Sequence, residues 1–364
     1  MKERITQDLL DLMRLPGLAG HEDRVRREIA QKLRNAGVES ETDRLGNLAA
    51  HFPGTGPSVM LFAHMDQLGF VVRRIEADGL LRLERLGGVP ERALPAQDVL
   101  LCTGPGQDIQ GIIAHKSHHV TPPGEKYQVT QYAELFADAG FASADEAHRA
   151  GIRIGTPVVY RPAAHRLQND TVTGTSVDDR AGCAVLLEMA RLLHARDAGP
   201  PVHLVFSVQE EFNLRGALPL AQKLLPDIAI QLDLMPATDT PDVAGQGDMV
   251  LGGGPGISLY SFHGRGTLNG VIPHPAMVQL METAAAAEKI PLQRSARTGI
   301  LTDLSYVQHV GGGVACIDAG YPMRYSHSAR EVCDLNDLVA LTRLLAAALG
   351  RVGADFSLNR DDYT

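Results

Sequence analysis

Apolar positions recur every three or four residues near the amino terminus and then gather into short continuous runs. Leu9, Leu12 and Met13 form one stripe and Val25, Ile29 and Leu33 another, which predicts two amphipathic helices separated by the breaker LPGLAG. Gly37 can take a positive φ and ends the second helix. GNLAAHF and SVMLFAHMD read as strands, and VMLFA has the all-apolar character of a central strand covered on both faces. From Thr173 helices and buried strands alternate: helix 178–193, strand 202–208, helix 217–225, strand 228–232, helix 275–289, strand 314–317 and helix 336–349.

The pattern changes after Asp66. FVVRRIEADGLLRLERL is a hairpin with Asp78-Gly79 at its turn. DVLLCTGPG, DIQGIIAHK and GTPVVYRP are short β-like runs punctuated by Gly and Pro, and 131–150 reads as helix with Ser143 and Glu146 placed as a capping box. The expected architecture is an α/β sandwich interrupted by a β-rich insert of about a hundred residues.

Composition narrows the class. The 364 residues are 44% apolar and 21% charged, enough for two packed cores and unlike a disordered chain. A net charge of -9 gives no basic footprint for nucleic acid. No run approaches the roughly 18 apolar residues of a membrane span, and the charged MKERITQDLLDLMRL is not a secretory signal. Cys102, Cys183, Cys316 and Cys333 lack paired spacing, so reduced thiols in a cytoplasmic protein are expected.

The chemistry lies at the ends of the apolar runs. His64 closes VMLFAHMD, Glu210 and Glu211 close VHLVFSVQEE, Asp233 closes IAIQLDL, and His327 sits in RYSHS. Open α/β sheets collect ligands beyond the carboxyl ends of their strands. Asp66, two residues past His64, points the same way in an extended segment and can hydrogen-bond the ring nitrogen not given to a metal. Asp178 and Asp179 open a helix, and a capping box from Ser176 to Asp179 would explain one of them and leave the other spare. Adjacent glutamates after an apolar strand repel each other without a cation nearby, and their side chains diverge, so one can ligate while the other faces water.

Each residue alone has an ordinary reading as a cap, a loop residue or a core His. Together, two His, three carboxylates and a spare Glu fit two divalent metals and a general base, and the mixed ligands suit zinc, cobalt or manganese. GQGDMVLGGGPG lacks the context of a nucleotide loop and reads as a turn beside the site, and His118-His119 read as surface or interface residues of the insert.

LPGLAGHEDRVRREI, AHMDQLGF, ELFADAGFASADEAHRAGIRIGTPVV, SVDDRAGCAVLLE, VQEEFNLRGA, DLMPATDTPD and RYSHSAREV resemble, in order, segments of the tetrahedral or glutamyl-aminopeptidase-like aminopeptidases, metallopeptidase family 42. The resemblance runs from about residue 15 to 335. It implies an α/β/α metallopeptidase domain of residues 1–67 and 166–364, with a β-barrel-like assembly domain at 68–165. His64, Asp178, Glu211, Asp233 and His327 are then the metal ligands, with Asp178 bridging, Glu210 the general base and Asp66 the residue orienting His64. The implied activity is removal of amino-terminal residues from peptides by a water activated between two metals, in a homo-oligomer built from dimers into a dodecamer.

TGTSV, Met235 and HKSHHV depart from the family's usual runs without touching a ligand. The rival readings are a deacylase or carboxypeptidase on the same scaffold, a glycoside hydrolase using Glu210 with Asp178 or Asp233, and a non-catalytic shell protein.

Overall fold

The structure is a computed structural model describing residues 1–264 and 270–363. Its centre is four adjacent parallel strands, Val202–Ser207, Val59–His64, Ile228–Pro236 and Ala315–Arg324. Every position from Val59 to His64 is buried. Val59, Leu61 and Ala63 pack into one core with the helices Lys2–Met13, Asp23–Asn35, Val177–His194, Pro275–Glu288 and Leu335–Leu349. Met60 and Phe62 face the opposite side, against Ala217–Leu224 and Leu304–Val307. Period-two alternation within an all-apolar strand thus produces the α/β/α sandwich. Because the four strands run parallel, the segments leaving their carboxyl ends emerge along one edge, where the chemistry-bearing residues gather.

The chain leaves this sheet after His64 and forms a closed barrel of six strands: Gly69–Ile75, Leu81–Leu86, Phe136–Asp138, Ile109–Ile113, Asp98–Leu101 and Pro157–Tyr160. Phe70, Val72, Leu81, Leu83, Val99 and Val158 belong to its own core, separate from both cores of the sandwich. The chain returns to the large sheet at Ala164–Arg166, which pairs with Thr171–Gly174.

One expectation fails here. Of the predicted helix 131–150 only Ala144–Arg149 is α-helical; Phe136–Asp138 is a barrel strand between Leu81–Leu86 and Ile109–Ile113. Closing the barrel requires a partner on both of those edges, and that demand overrides the local helical pattern. The cap itself forms: Ser143 Oγ accepts from the Glu146 amide at 3.3 Å, and the Glu146 carboxylate accepts from the Ala142 amide at 2.7 Å. No helix of the described residues is long and apolar enough to cross a membrane.

Candidate metal centre

His64 ends its strand and is buried at the base of the crevice. Its Nδ1 lies 3.2 Å from the Asp66 backbone carbonyl, which leaves Nε2 aimed inward, 3.0 Å from Asp178 Oδ1. The Asp66 carboxylate comes within 3.4 Å of the same Nδ1, but its hydrogen bonds run elsewhere: Oδ1 accepts from the Glu210 amide and Oδ2 from the Glu211 amide, each at 3.0 Å. One buried carboxylate therefore fixes the backbone of both glutamates, while the carbonyl of the same residue orients His64. Charge-assisted bonds of this kind contribute about 1.5–3 kcal/mol each. Asp66→Ala should lower the stability of the metal-loaded protein by about 3 kcal/mol; urea unfolding yielding a difference below about 1 kcal/mol would refute that role.

The Ser176–Asp179 capping box is not formed. Ser176 has φ +61° and no capping hydrogen bond, and Asp178 and Asp179 are non-helical at the head of Val177–His194. Asp179 takes the cap itself: its Oδ1 accepts from the Gly182 amide at 3.0 Å and from the Tyr321 hydroxyl at 2.9 Å, while Oδ2 accepts from the His64 amide at 3.3 Å. That division of labour leaves Asp178 free to face the crevice; the peptide bond between the two aspartates is cis.

Asp178 sits between the two imidazoles, with Oδ1 on His64 and Oδ2 3.5 Å from His327 Nε2. Two donor groups converge on it. His64, Asp178 and Asp233 form one and Asp178, Glu211 and His327 the other, the donor atoms of each lying within 4.8 Å of one another. Glu210 belongs to neither and lies 4.0 Å from His64 Nε2. The crevice above them is an open cavity of about 650 Å³ whose lining includes all six of these side chains.

His327 needs outside support because its backbone is left-handed, at φ +62°. Its amide donates to Glu331 Oε1 at 2.8 Å, and its Nδ1 lies 3.0 Å from the Gly88 carbonyl on the barrel side. A Cβ on Gly88 would stand 2.8 Å from that nitrogen, so only glycine fits. Glu331 also accepts from the Asp178 amide at 3.1 Å. Neither Gly88 nor Glu331 was foreseen from the sequence; the available signal was a glutamate opening the apolar EVC four residues after His327. Glu22, likewise unforeseen, is buried and accepts from the Gln209 amide at 3.0 Å just ahead of the glutamate pair.

Carboxylates outnumber imidazoles, and the electrostatics record it. Burial, and then neighbouring negative charge, pushes Asp233 and Glu210 well above the carboxylate range, and burial with Asp178 nearby takes Glu211 to about 7. Burial opposes the charged imidazoles, yet Asp178 and Asp66 hold His64 well above its ordinary value, and Glu211 and Asp178 hold His327 at about 9. Burial works against Asp178 too, but the His64 hydrogen bond prevails and keeps it low. Buried acids lacking compensating charge, with imidazole nitrogens aimed among them, are a donor set that fits divalent cations.

The remaining sequence candidates lie elsewhere. His118 and His119 are exposed on the barrel, and Gly252 and Gly254 of the glycine run donate their amides to Asp337, bracing the last helix.

A three-layer α/β/α domain with an inserted barrel and this donor set at its strand ends defines a metallopeptidase. The chain belongs to the M42 glutamyl aminopeptidase family, whose profile matches residues 46–344, and it is an aminopeptidase. SgcX of Escherichia coli strain K12, which carries a provisional aminopeptidase name, is 37% identical over 100% of this chain and 98% of its own. The aminopeptidase APDkam598 of Desulfurococcus kamchatkensis shares the fold with a TM-score of 0.90 at 31% identity, covering 100% of this chain and 98% of that one. The TET1 peptidase of Pyrococcus horikoshii, which assembles into a tetrahedron or an octahedral shell, has a TM-score of 0.85 at 26% identity over 95% and 99% of the two chains.

Proposed function

We propose that this chain is a two-metal aminopeptidase acting on peptides with a free amino terminus. The observation that carries the reading is Asp178, one carboxylate shared by two donor groups. His64 and Asp233 would hold one cation, Glu211 and His327 the other, with Asp178 common to both. Zinc, cobalt and manganese all suit the mixed oxygen and imidazole donors. When bound, such a pair polarises a carbonyl and acidifies a water.

The chain's own residues do the rest. Glu210, outside both donor groups but beside His64, takes the proton of the attacking water on its carboxylate and passes it to the leaving amine, a role contributing about 10²–10⁴ in rate. Asp66 holds the Glu210 amide, so the base keeps its aim. Glu331 fixes the backbones of Asp178 and His327 together. Chelation should abolish hydrolysis of aminoacyl chromogenic substrates, and zinc, cobalt or manganese should restore it. Hydrolysis of N-blocked substrates alone would favour the deacylase reading, and cleavage persisting in protein shown by elemental analysis to be metal-free would refute metal dependence.

Metal binding should depend on pH in a definite direction. Glu211, with its pKa raised to about 7, holds its proton more tightly folded than unfolded, so it costs the metal-free fold stability as pH rises from its ordinary 4.5 towards 7. His327, raised to about 9, contributes stability below its ordinary 6.5 and loses it as pH rises through 9. Ligation requires both groups deprotonated, so metal affinity grows over the same interval. The difference in Tm between metal-loaded and chelated protein should therefore widen from about pH 6 to about pH 8.5. Thermal unfolding with a constant difference would contradict this.

The barrel, with residues 68–165 as the assembly domain, would join subunits into dimers and a hollow dodecamer in the cytoplasm. Apolar side chains standing out from this region support that reading, with Val120 71% and Tyr127 96% exposed. Light scattering that returns a monomer at micromolar concentration would refute it.

A further inference from the structure

A second, narrower cavity of about 20 Å³ adjoins the crevice behind Asp233 and is large enough for one water-sized group. Asp233, Leu234, Ile300 and Thr302 line both spaces. Asp318, which is 4% exposed, also lines the smaller one. Its Oδ1 accepts from Thr302 Oγ1 at 2.8 Å, whereas its Oδ2 has no partner. The hydroxyl of Ser261, 3% exposed in the same lining, is unpartnered as well. Every polar side chain around the cavity offers oxygen, and no Lys, Arg or His among the described residues lines it. Buried polar groups are ordinarily paired, and a buried carboxylate with an unmet oxygen is a strong attractor for a cation of matching size.

Reach sets the size of that cation. Asp233 lies opposite Gly320 in the paired strands, and Asp318 is two residues earlier on the same face. Two residues along and one strand across is roughly 8 Å. A four-methylene stem covers this span, with Leu234 and Ile300 to pack against. A guanidinium is planar and larger than the single-water space at the end. Leucine would leave Asp318 buried and unpaired, a loss that makes polar pockets selective, and glutamate would add like charge.

The geometry points to this cavity as the pocket for the amino-terminal side chain of the substrate, with Asp318 selecting lysine. The inference rests on the aminopeptidase reading above and adds the residue that determines specificity.

The test compares lysyl, arginyl, leucyl and glutamyl p-nitroanilides on the metal-loaded protein. The lysyl substrate should lead the leucyl one in kcat/KM by about 10–100-fold, the range of one charge-assisted hydrogen bond. Asp318→Asn, with folding checked by circular dichroism, should bring that ratio close to one. If this variant does not fold, Ser261→Ala is read instead and should lower the ratio several-fold. A wild-type ratio near one, or a ratio that the folded variant leaves unchanged, overturns the proposal.

If no aminoacyl substrate is cleaved at all, it is the aminopeptidase reading that fails. Calorimetry with lysinamide and leucinamide then judges the pocket alone. A lysinamide preference lost in the variant supports it, and equal binding of the two overturns it.

Discussion

Glu210→Gln is expected to lower kcat by about 10²–10⁴ while the protein keeps its full complement of metal. The amide has the shape of the carboxylate but cannot accept a proton, and Glu210 belongs to neither donor group around Asp178. Its backbone amide is held by Asp66 whichever side chain follows, so the substitution leaves the architecture in place. Elemental analysis alongside steady-state kinetics separates the outcomes. If Glu210→Gln loses metal while Glu211→Gln keeps its metal and loses turnover, the two glutamates have exchanged roles.

Asp178→Asn is expected to do more damage and of a different kind. Asp178 offers one oxygen towards His64 and the other towards His327, so a single substitution weakens both donor groups. Asparagine supplies one neutral oxygen, and its NH₂ faces inward where a second acceptor is needed. Loss of outer-shell partners alone lowers metal affinity about 10–100-fold, so a shared ligand should lower it by at least about 100-fold at each site. Dialysed Asp178→Asn protein should hold less than one metal per chain and show no measurable turnover. Two metals per chain in this variant would remove Asp178 from the centre.

The sequence exposed the site better than it exposed its supports. His64, Glu210, Glu211 and Asp233 were legible because each follows a run too apolar to be anything but a buried strand, and parallel strands leave their ends on one edge. Asp178 and Asp179 could not be told apart, since the choice of which caps the helix depends on Tyr321 and the His64 amide, groups 142 and 115 residues away. Glu331 and Gly88 escaped notice because their value lies in contacts to His327 made across the fold. Gln293–Thr298 is polar at most positions and alternates between exposed and half-buried, so it carries no apolar stripe to mark it as a strand. The stretch 131–143 carries a helical pattern yet supplies a barrel strand, because local pattern cannot register a barrel that needs closing.

Anomalous diffraction from crystals of the zinc-loaded protein tests the central claim most directly. Two peaks per chain are expected, one against His64 and Asp233 and the other against Glu211 and His327, with a carboxylate oxygen of Asp178 on each. A single peak, or two peaks of which one does not touch Asp178, would contradict it.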